Sequence, residues 1–155
     1  MAISDRIAIM DGGLIAQVGS AEELYLRPAS RFVAGFLGSA NLLRGTVVAV
    51  AATMTSIDIL GHRWELAANN PVAAGRPVDA VIRPEALTLA KEGAGPRGRV
   101  ESRTYYGDKA EYLVRVGTDL VQAVQWNPSA DDAFSEGDLV CVKLPASNVQ
   151  LLAVD

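Results

Sequence analysis

A chain of 155 residues, half of them apolar, with 18 acidic and 14 basic side chains and a net charge of −4, has the composition of one small globular unit or two fused ones. The acidic balance predicts no nucleic-acid partner, because binding phosphates requires an excess of basic side chains. No membrane insertion is predicted either, since the longest apolar stretch, Val47 to Met54 with Thr53 inside it, is far shorter than the roughly 20 residues of a membrane span.

The first residues predict a β-hairpin. Ile7 and Ile9 recur with the period of two that is typical of a strand with one buried face. Asp11-Gly12-Gly13 is a turn signal, because glycine tolerates the positive φ of a tight hairpin turn. The segment from Leu14 to Val18 then forms the returning strand.

Two short helices are predicted after the hairpin. Ser20 and Glu23 have the spacing of a capping box, and Pro28 ends the first helix because proline has no N–H to donate. Ser30 caps the second helix, and Gly38 is placed to stop it. The apolar face of that helix consists of Phe32, Val33, Phe36 and Leu37.

From residue 44 onward the pattern predicts short strands separated by glycine-rich turns. The strongest candidates are Thr46–Val50, Thr55–Leu60, Val78–Ile82, Arg99–Thr104, Ala110–Val116, Leu120–Trp126 and Leu139–Leu144. Such spacing is typical of a sandwich or barrel, so the chain is predicted to be mainly β, with one or two OB-fold-like barrels after the hairpin and helices. His62 is predicted to lie in a turn.

A weak internal repeat accompanies these strands. Arg44-Gly45-Thr46-Val47 is similar to Arg97-Gly98-Arg99-Val100, and the spacing Gly75-x-x-Val78 recurs as Gly137-x-x-Val140. The order of the matches is kept while the intervals lengthen, as longer loops in a second copy would require. The repeat predicts two related subdomains, 41–90 and 97–155.

The N-terminal residues also resemble a known family. Residues 3–20 resemble the last β-hairpin of the ATPase domain of ABC transporters, and residues 27–38, which begin Arg-Pro-Ala-Ser-Arg-Phe-Val-Ala, resemble its helical exit in polyamine, ferric-iron and sugar importers. Further matches to the regulatory extension of these subunits, a transport-associated OB-like (TOBE) domain, are Asn41-Leu42-Leu43-x-Gly45, Val81-Ile82-Arg83-Pro84-Glu85, and Tyr106-Gly107 followed by Glu111-Tyr112.

The resemblance implies that residues 1–40 are the end of an ATPase domain and that residues 41–155 are its regulatory domain. Catalysis by this chain alone is not expected, because none of its three lysines (Lys91, Lys109 and Lys143) lies in a phosphate-binding loop, G-x-x-x-x-G-K-[ST]. The signature motif and the catalytic carboxylate of the family are likewise missing from the sequence. No cofactor is therefore predicted for this chain, and ATP and magnesium would belong to the rest of a parent subunit.

The resemblance also implies partners and a location. The predicted function is a non-catalytic regulatory and dimerisation region of an importer's ATP-binding subunit, which acts by holding two ATPase domains near each other. The expected partners are a second copy of the chain, the parent ATPase domains and membrane permease subunits. The expected location is the cytoplasm, peripheral to the inner membrane, and the single Cys141, which allows no internal disulfide, agrees with it.

A second hypothesis is that the chain binds a small oxyanion. Residues 38–45 distantly resemble the opening segment of molybdate-binding OB-like domains, although the Arg of that motif is missing between Ala40 and Asn41. The candidate ligand residues of this hypothesis are Ser39, Asn41 and Arg44.

Four further candidates come from the remaining matches. Arg83 is expected to pair with an acidic group at a domain contact, with Glu85 beginning a turn beside it; the alternative is that both only shape a strand end. Tyr106 and Asp108 are interpreted as part of a hairpin turn rather than a site. The aromatic and basic residues near them in sequence, which could suggest nucleic acid, are explained equally well by the core and rim of a barrel.

Overall fold

The computed structural model of the protein describes residues 4–67 and 72–154 and is mainly β. It begins with a hairpin of β1 (Ile7–Asp11) and β2 (Leu14–Gly19). Gly12 and Gly13 form the turn with φ values of 56° and 86°, the left-handed conformation that a two-residue hairpin loop requires. The predicted hairpin is therefore confirmed, with a turn made of the two glycines alone.

Two six-residue helices follow, α1 (Ala21–Leu26) and α2 (Arg31–Phe36). The capping box is present, since Glu23 N donates to Ser20 Oγ over 3.2 Å while Ser20 N donates to the Glu23 carboxylate. Ser30 caps α2 through the backbone N–H of Val33. The hairpin packs on both helices around a small core of Ile9, Leu24 and Val33.

The rest of the chain forms two five-stranded antiparallel sheets. The first has the strand order β12-β6-β3-β4-β5 and the second the order β10-β9-β8-β11-β7. The strands are β3 (Asn41–Val50), β4 (Met54–Ile59), β5 (His62–Ala67), β6 (Pro77–Ile82), β7 (Thr88–Ala90), β8 (Arg97–Tyr105), β9 (Lys109–Val116), β10 (Asp119–Trp126), β11 (Leu139–Lys143) and β12 (Gln150–Ala153).

One hydrophobic core lies between the two sheets. Its fully buried members include Val47 and Ile57 of the first sheet and Val114 and Val121 of the second. Burial alternates along β9, where every second residue from Ala110 to Val116 is buried. The period of two in the sequence therefore reports a strand with one face on this core.

The two halves of the sheet region repeat the same local geometry. Gly75 N donates to Val47 O over 2.7 Å, and Gly137 N donates to Val100 O over 2.8 Å at the matching place. In both halves the pairing register shifts directly after that valine. Each half also gives its last strand to the other half's sheet, because β7 pairs with β11 and β12 pairs with β6. These equivalences support the proposed duplication, while the boundaries 41–90 and 97–155 stay a prediction.

The structure corrects some of the predicted elements. His62 does not lie in a turn: it begins β5, and its ring contacts that of Trp64 with centroids 4.7 Å apart. The turn is made by Leu60 and Gly61, both with positive φ. The strands β5, β7 and β12 were not predicted, because β5 carries mixed polar and apolar residues and the other two are only three and four residues long.

Candidate functional site

Arg83 joins the hairpin and helices to the two sheets. It follows β6 directly, precedes a 3-10 turn at Pro84–Ala86, and is only 5% exposed. Its guanidinium donates hydrogen bonds to four backbone carbonyl oxygens, those of Tyr25, Ala34, Gly38 and Ser39. The shortest run from Nη1 to Ala34 O, 2.9 Å, and from Nη2 to Tyr25 O, 3.0 Å.

The position of these carbonyls explains why an arginine is used here. Tyr25 lies in the last turn of α1 and Ala34 in the last turn of α2. Carbonyls at a helix C-terminus have no partner within the helix and carry the negative end of its dipole. A planar cation with five N–H donors can satisfy two such ends at once. Arg83 therefore caps both helices from the position directly after β6 of the first sheet.

Tyr25 and Glu85 also take part in this contact between Arg83 and the two helices. We call the three side chains of Arg83, Tyr25 and Glu85, with the carbonyls that Arg83 binds, the Arg83 joint. The guanidinium carbon of Arg83 lies 4.0 Å from the centroid of the Tyr25 ring, and the Tyr25 hydroxyl donates to Glu85 Oε1. Burial, together with the hydrogen bond to Glu85 and its negative charge, raises the pKa of Tyr25 to about 12. Burial lowers the pKa of the Arg83 guanidinium from its usual value.

The expectation that Arg83 forms an ion pair with an acidic side chain is wrong, although its position at a contact between parts of the chain was expected correctly. Its hydrogen-bond partners are carbonyl oxygens, and the nearby Glu85 binds the Tyr25 hydroxyl instead. The reason is that Arg83 meets helix ends, whose partial charges together replace a carboxylate. The interpretation that Arg83 and Glu85 only shape a strand end is also too narrow, because both reach α1.

Asp79 makes a second contact between α2 and the first sheet. It lies in β6, is 3% exposed, and accepts from Arg44 Nε over 2.9 Å and from Arg31 Nη1 over 3.4 Å. Arg44 is its cross-strand neighbour on β3, whereas Arg31 belongs to α2. Asp79 was not predicted from the sequence, although a charged residue inside the otherwise apolar segment Val78–Ile82 indicates a buried pair, since a buried carboxylate requires a partner.

Asn41 connects the two sheets. Its Nδ2 donates to Gln122 O over 2.8 Å, and Gln122 N donates to its Oδ1 over 2.7 Å. The side-chain amide of Asn41 thus makes the same pair of hydrogen bonds to Gln122 that a residue of a neighbouring β-strand would make. It also donates to Ile82 O within its own sheet. Both ends of the amide are occupied by the protein itself.

The predicted oxyanion residues do not converge on one point. Asn41 is buried with its polar atoms bonded to backbone, whereas Arg44 is exposed on β3 and pairs with Asp79. Ser39 is exposed and contributes its backbone carbonyl to Arg83. An oxyanion bound by these three side chains would have to displace contacts already present within the chain.

Only some of the aromatic and basic residues of the second half come together, where Lys109 faces Tyr106 and Trp126 and where Arg103 lies over Tyr105. Tyr106 and Asp108 lie in the hairpin turn between β8 and β9, as predicted, where Tyr106 N donates to Lys109 O over 2.9 Å. Tyr112 is fully buried in the core. Arg115 pairs with Glu101 over 2.8 Å instead of presenting a free cation.

Two cavities lie beside the joint and share Glu85 and Trp126. The smaller, about 130 Å³, also contacts Tyr25, Ser39 and Lys109. The ammonium of Lys109 lies 2.7 Å from Glu111 Oε1 and faces the rings of Tyr106 and Trp126 at 5.0 and 5.8 Å. The larger cavity, about 240 Å³, lies between β10 and the segment that includes the 3-10 turn and β7.

Within residues 4–67 and 72–154, no three His, Cys, Asp or Glu side chains come together as a metal site would require. None of the helices in the same part of the chain is long and apolar enough to cross a membrane.

Comparison with known proteins defines the class. Residues 80–152 match the TOBE domain family. A crystal structure of the cytoplasmic molybdate-binding protein ModG, with molybdate bound, aligns with a TM-score of 0.62 at 22% identity, over 74% of this chain and 96% of that one. At this identity the likeness shows the fold alone, an OB-fold type with two sheets.

Relatives among curated proteins are ATP-binding subunits of importers. The chain is 34% identical over 155 residues to a spermidine/putrescine import ATP-binding protein PotA of Ruegeria pomeroyi, covering 98% of this chain and 42% of the relative. It is 35% identical over 147 residues to PotA of Thermobifida fusca and 39% identical over 138 residues to the Fe(3+) ions import ATP-binding protein FbpC of Rhizobium etli, covering 90% and 84% of this chain and 38% of each relative. The chain thus belongs to the C-terminal TOBE region, a regulatory region, of ABC-importer ATP-binding subunits, and it spans about two fifths of the length of these relatives.

Proposed function

We propose that this chain regulates an importer's ATP-binding subunit by transmitting force between its helices and its sheets through the Arg83 joint. The observation that carries the proposal is that one buried guanidinium satisfies the C-terminal carbonyls of both α1 and α2. The helices and hairpin resemble the end of an ATPase domain, so a shift of the sheets would move that end as well. The chain itself performs no bond chemistry in this proposal.

The nucleotide-binding site and the membrane-spanning subunits would belong to other chains or to other segments of a parent subunit. ATP and magnesium would bind to the ATPase part of a parent subunit, and membrane permease subunits would be the final partners. Such an assembly would lie on the cytoplasmic side of the inner membrane. The names of the relatives support this proposal, since they are import ATP-binding proteins for spermidine/putrescine and for Fe(3+).

The joint is tested by replacing Arg83→Lys. Lysine keeps the charge, but its single ammonium cannot reach all four carbonyls, and each unsatisfied buried acceptor costs about 1–3 kcal/mol. We expect the amides of α1 and α2 to exchange with deuterium about 100-fold faster, while those of β8 and β9 keep their protection. Arg63→Lys is the matched control, because Arg63 forms an exposed pair with Asp58. Unchanged exchange in the helices of the Arg83 variant would refute the joint.

A second part of the proposal is a homodimer formed through the outer face of the hairpin. One face of the hairpin is buried at Ile9, but Met10, Ile15 and Val18, which share the opposite face, are 57%, 65% and 42% exposed. An apolar face on an exposed two-stranded ribbon tends to recruit a partner surface. A second copy of the chain presents the same face, so a two-fold contact would bury both.

The dimer is tested by light scattering during size-exclusion chromatography. We expect the native chain to be dimeric at micromolar concentrations and Ile15→Lys to be monomeric, because the new charge would be buried without a partner. Leu120→Lys, which places the same charge on exposed β10, should stay dimeric. A native chain that remains monomeric at its highest soluble concentration would rule out the dimer and leave the joint untouched.

The oxyanion hypothesis remains the alternative, supported by the fold that the chain shares with ModG. It predicts that adding molybdate or tungstate turns a monomeric chain into a dimer, with loss of the effect in Arg44→Ala. A dimer that forms without either anion and does not change when they are added would contradict the oxyanion hypothesis and would leave the regulatory proposal as the remaining one.

A further inference from the structure

The larger cavity beside Glu85 has a composition that suits one kind of ligand. Its lining combines the apolar side chains of Leu87, Leu89 and Phe134 with polar Thr88 and Gln125. The hydroxyl of Tyr112 in the same lining is already occupied, since it donates to Gln125 Oε1 over 3.0 Å and accepts from Phe134 N. The lining therefore offers contact to an apolar body and no free donor from this tyrosine.

The rim of the cavity is negatively charged and aromatic. Glu85 is exposed there, and in the described parts of the chain its carboxylate makes no direct ion pair. One of its oxygens accepts from the Tyr25 hydroxyl and its charge also acts on the Arg83 guanidinium, so a ligand would use the second oxygen. Lys109 is not among the residues that line this cavity: its ammonium binds Glu111 and lies 5.8 Å from the Trp126 ring on the side of the smaller cavity. Trp126, 56% exposed, lines the same cavity, and its indole face is the aromatic surface that best attracts a cation.

The volume limits the size of the ligand. A cavity of about 240 Å³ is below the roughly 300–1,000 Å³ of sites for drug-sized molecules. A cavity of about 150 Å³ is known to be large enough for benzene. One ring with a short arm is therefore the scale that fits.

We propose that this cavity binds a small molecule that carries one primary ammonium group on an apolar body about the size of a single ring. The body lies against the apolar side chains of the lining, and the ammonium lies at the rim between the Glu85 carboxylate and the face of Trp126. A charge-assisted hydrogen bond to Glu85 fixes the orientation. The argument for this site does not rest on the regulatory proposal, and the two share only Glu85.

The two tryptophans make the test direct. Trp64 lies in the first sheet and Trp126 at the cavity, so the Trp64→Phe chain reports only on Trp126. We would titrate this chain with phenethylamine, which is protonated at neutral pH, and with phenethyl alcohol, its neutral analogue of similar shape. We expect a saturable fluorescence change with the amine below about 10 mM, the range for a ligand of this size, and about tenfold weaker binding of the alcohol.

Charge at the rim is tested by Glu85→Gln, which keeps an oxygen that can accept from Tyr25. We expect this variant to bind the amine about tenfold more weakly and the alcohol as before. Glu92→Gln, which removes an exposed carboxylate that lines neither cavity, is the matched control and should behave as the parent chain. No saturable change with the amine, equal binding of amine and alcohol, or undiminished amine binding in Glu85→Gln would each overturn the proposal.

Discussion

At the scale of single residues, a few buried polar groups decide how the parts of this protein meet. Arg83 satisfies carbonyls of both helices, Asp79 holds a guanidinium from α2 and another from β3, and Asn41 imitates a strand against β10. Each group is buried with partners supplied by a different element, because an unpaired buried polar group would cost about 1–3 kcal/mol or more. These contacts therefore specify one arrangement of helices and sheets.

The titration of Tyr25 gives a prediction at this scale. Its pKa in the folded chain, about 12, lies above the usual 10.0, so folding favours the neutral phenol. The stabilisation is complete below pH 10 and is lost as the pH rises towards 12, where ionised Tyr25 repels Glu85. We expect the difference between the ultraviolet titrations of the native chain and of Tyr25→Phe to show one phenol ionising near pH 12. A difference centred near pH 10 would contradict the contact with Glu85.

At the scale of elements, the long strands β3 and β8 approach their neighbours closely at a glycine. A Cβ on Gly98 would lie 2.5 Å from Val114 Cγ1 and 2.9 Å from Arg115 O, and one on Gly45 would lie 2.8 Å from Asp58 O. These two glycines occupy matching positions in the internal repeat. The repeated Arg-Gly pair thus marks a place in each half where only glycine allows the next strand to pack.

Gly98→Ala should therefore destabilise the protein by about 1–3 kcal/mol, since the new methyl group would overlap the buried side chains of Val114 and Val116 and the backbone carbonyl of Arg115. Gly35→Ala is the control, because a methyl group at Gly35, on the exposed side of α2, would meet no atom within 4 Å. It should instead stabilise by about 0.5–1 kcal/mol through helix propensity. Urea unfolding of both variants checks the signs, and a neutral Gly98→Ala would contradict the close packing of β8 on β9.

At the scale of the whole molecule, the two sheets share one core and exchange their last strands. β7 completes the second sheet although it follows the first in sequence, and β12 returns to the first. Neither half can close its own sheet alone. Folding of residues 41–154 should therefore be a single cooperative event.

The tryptophans test this cooperativity, because Trp64 belongs to the first sheet and Trp126 to the second. We expect Trp64→Phe and Trp126→Phe chains to show urea midpoints that match the midpoint followed by circular dichroism on the same chain. Leu151→Ala, a buried truncation in β12, should lower the stability reported by both signals together by about 2–5 kcal/mol, whereas exposed Leu139→Ala should lower neither. Separate midpoints for the two reporters would mean that the halves fold independently.

The sequence by itself determined the local elements of this protein. Ser20 with Glu23, the turn at Gly12-Gly13, and the alternation from Ala110 to Val116 each act over a few residues, so their outcome can be read without knowing the fold. The resemblance in the hairpin and in Val81–Glu85 likewise identified the family. Tertiary structure decided the partners: Arg83 caps α2 through Ala34, 49 residues earlier, and α1 through Tyr25, 58 residues earlier, and Asn41 meets Gln122. Such contacts depend on where distant backbone groups lie after folding. The sequence pattern does not show which residue will donate to a carbonyl that has no partner within its own helix.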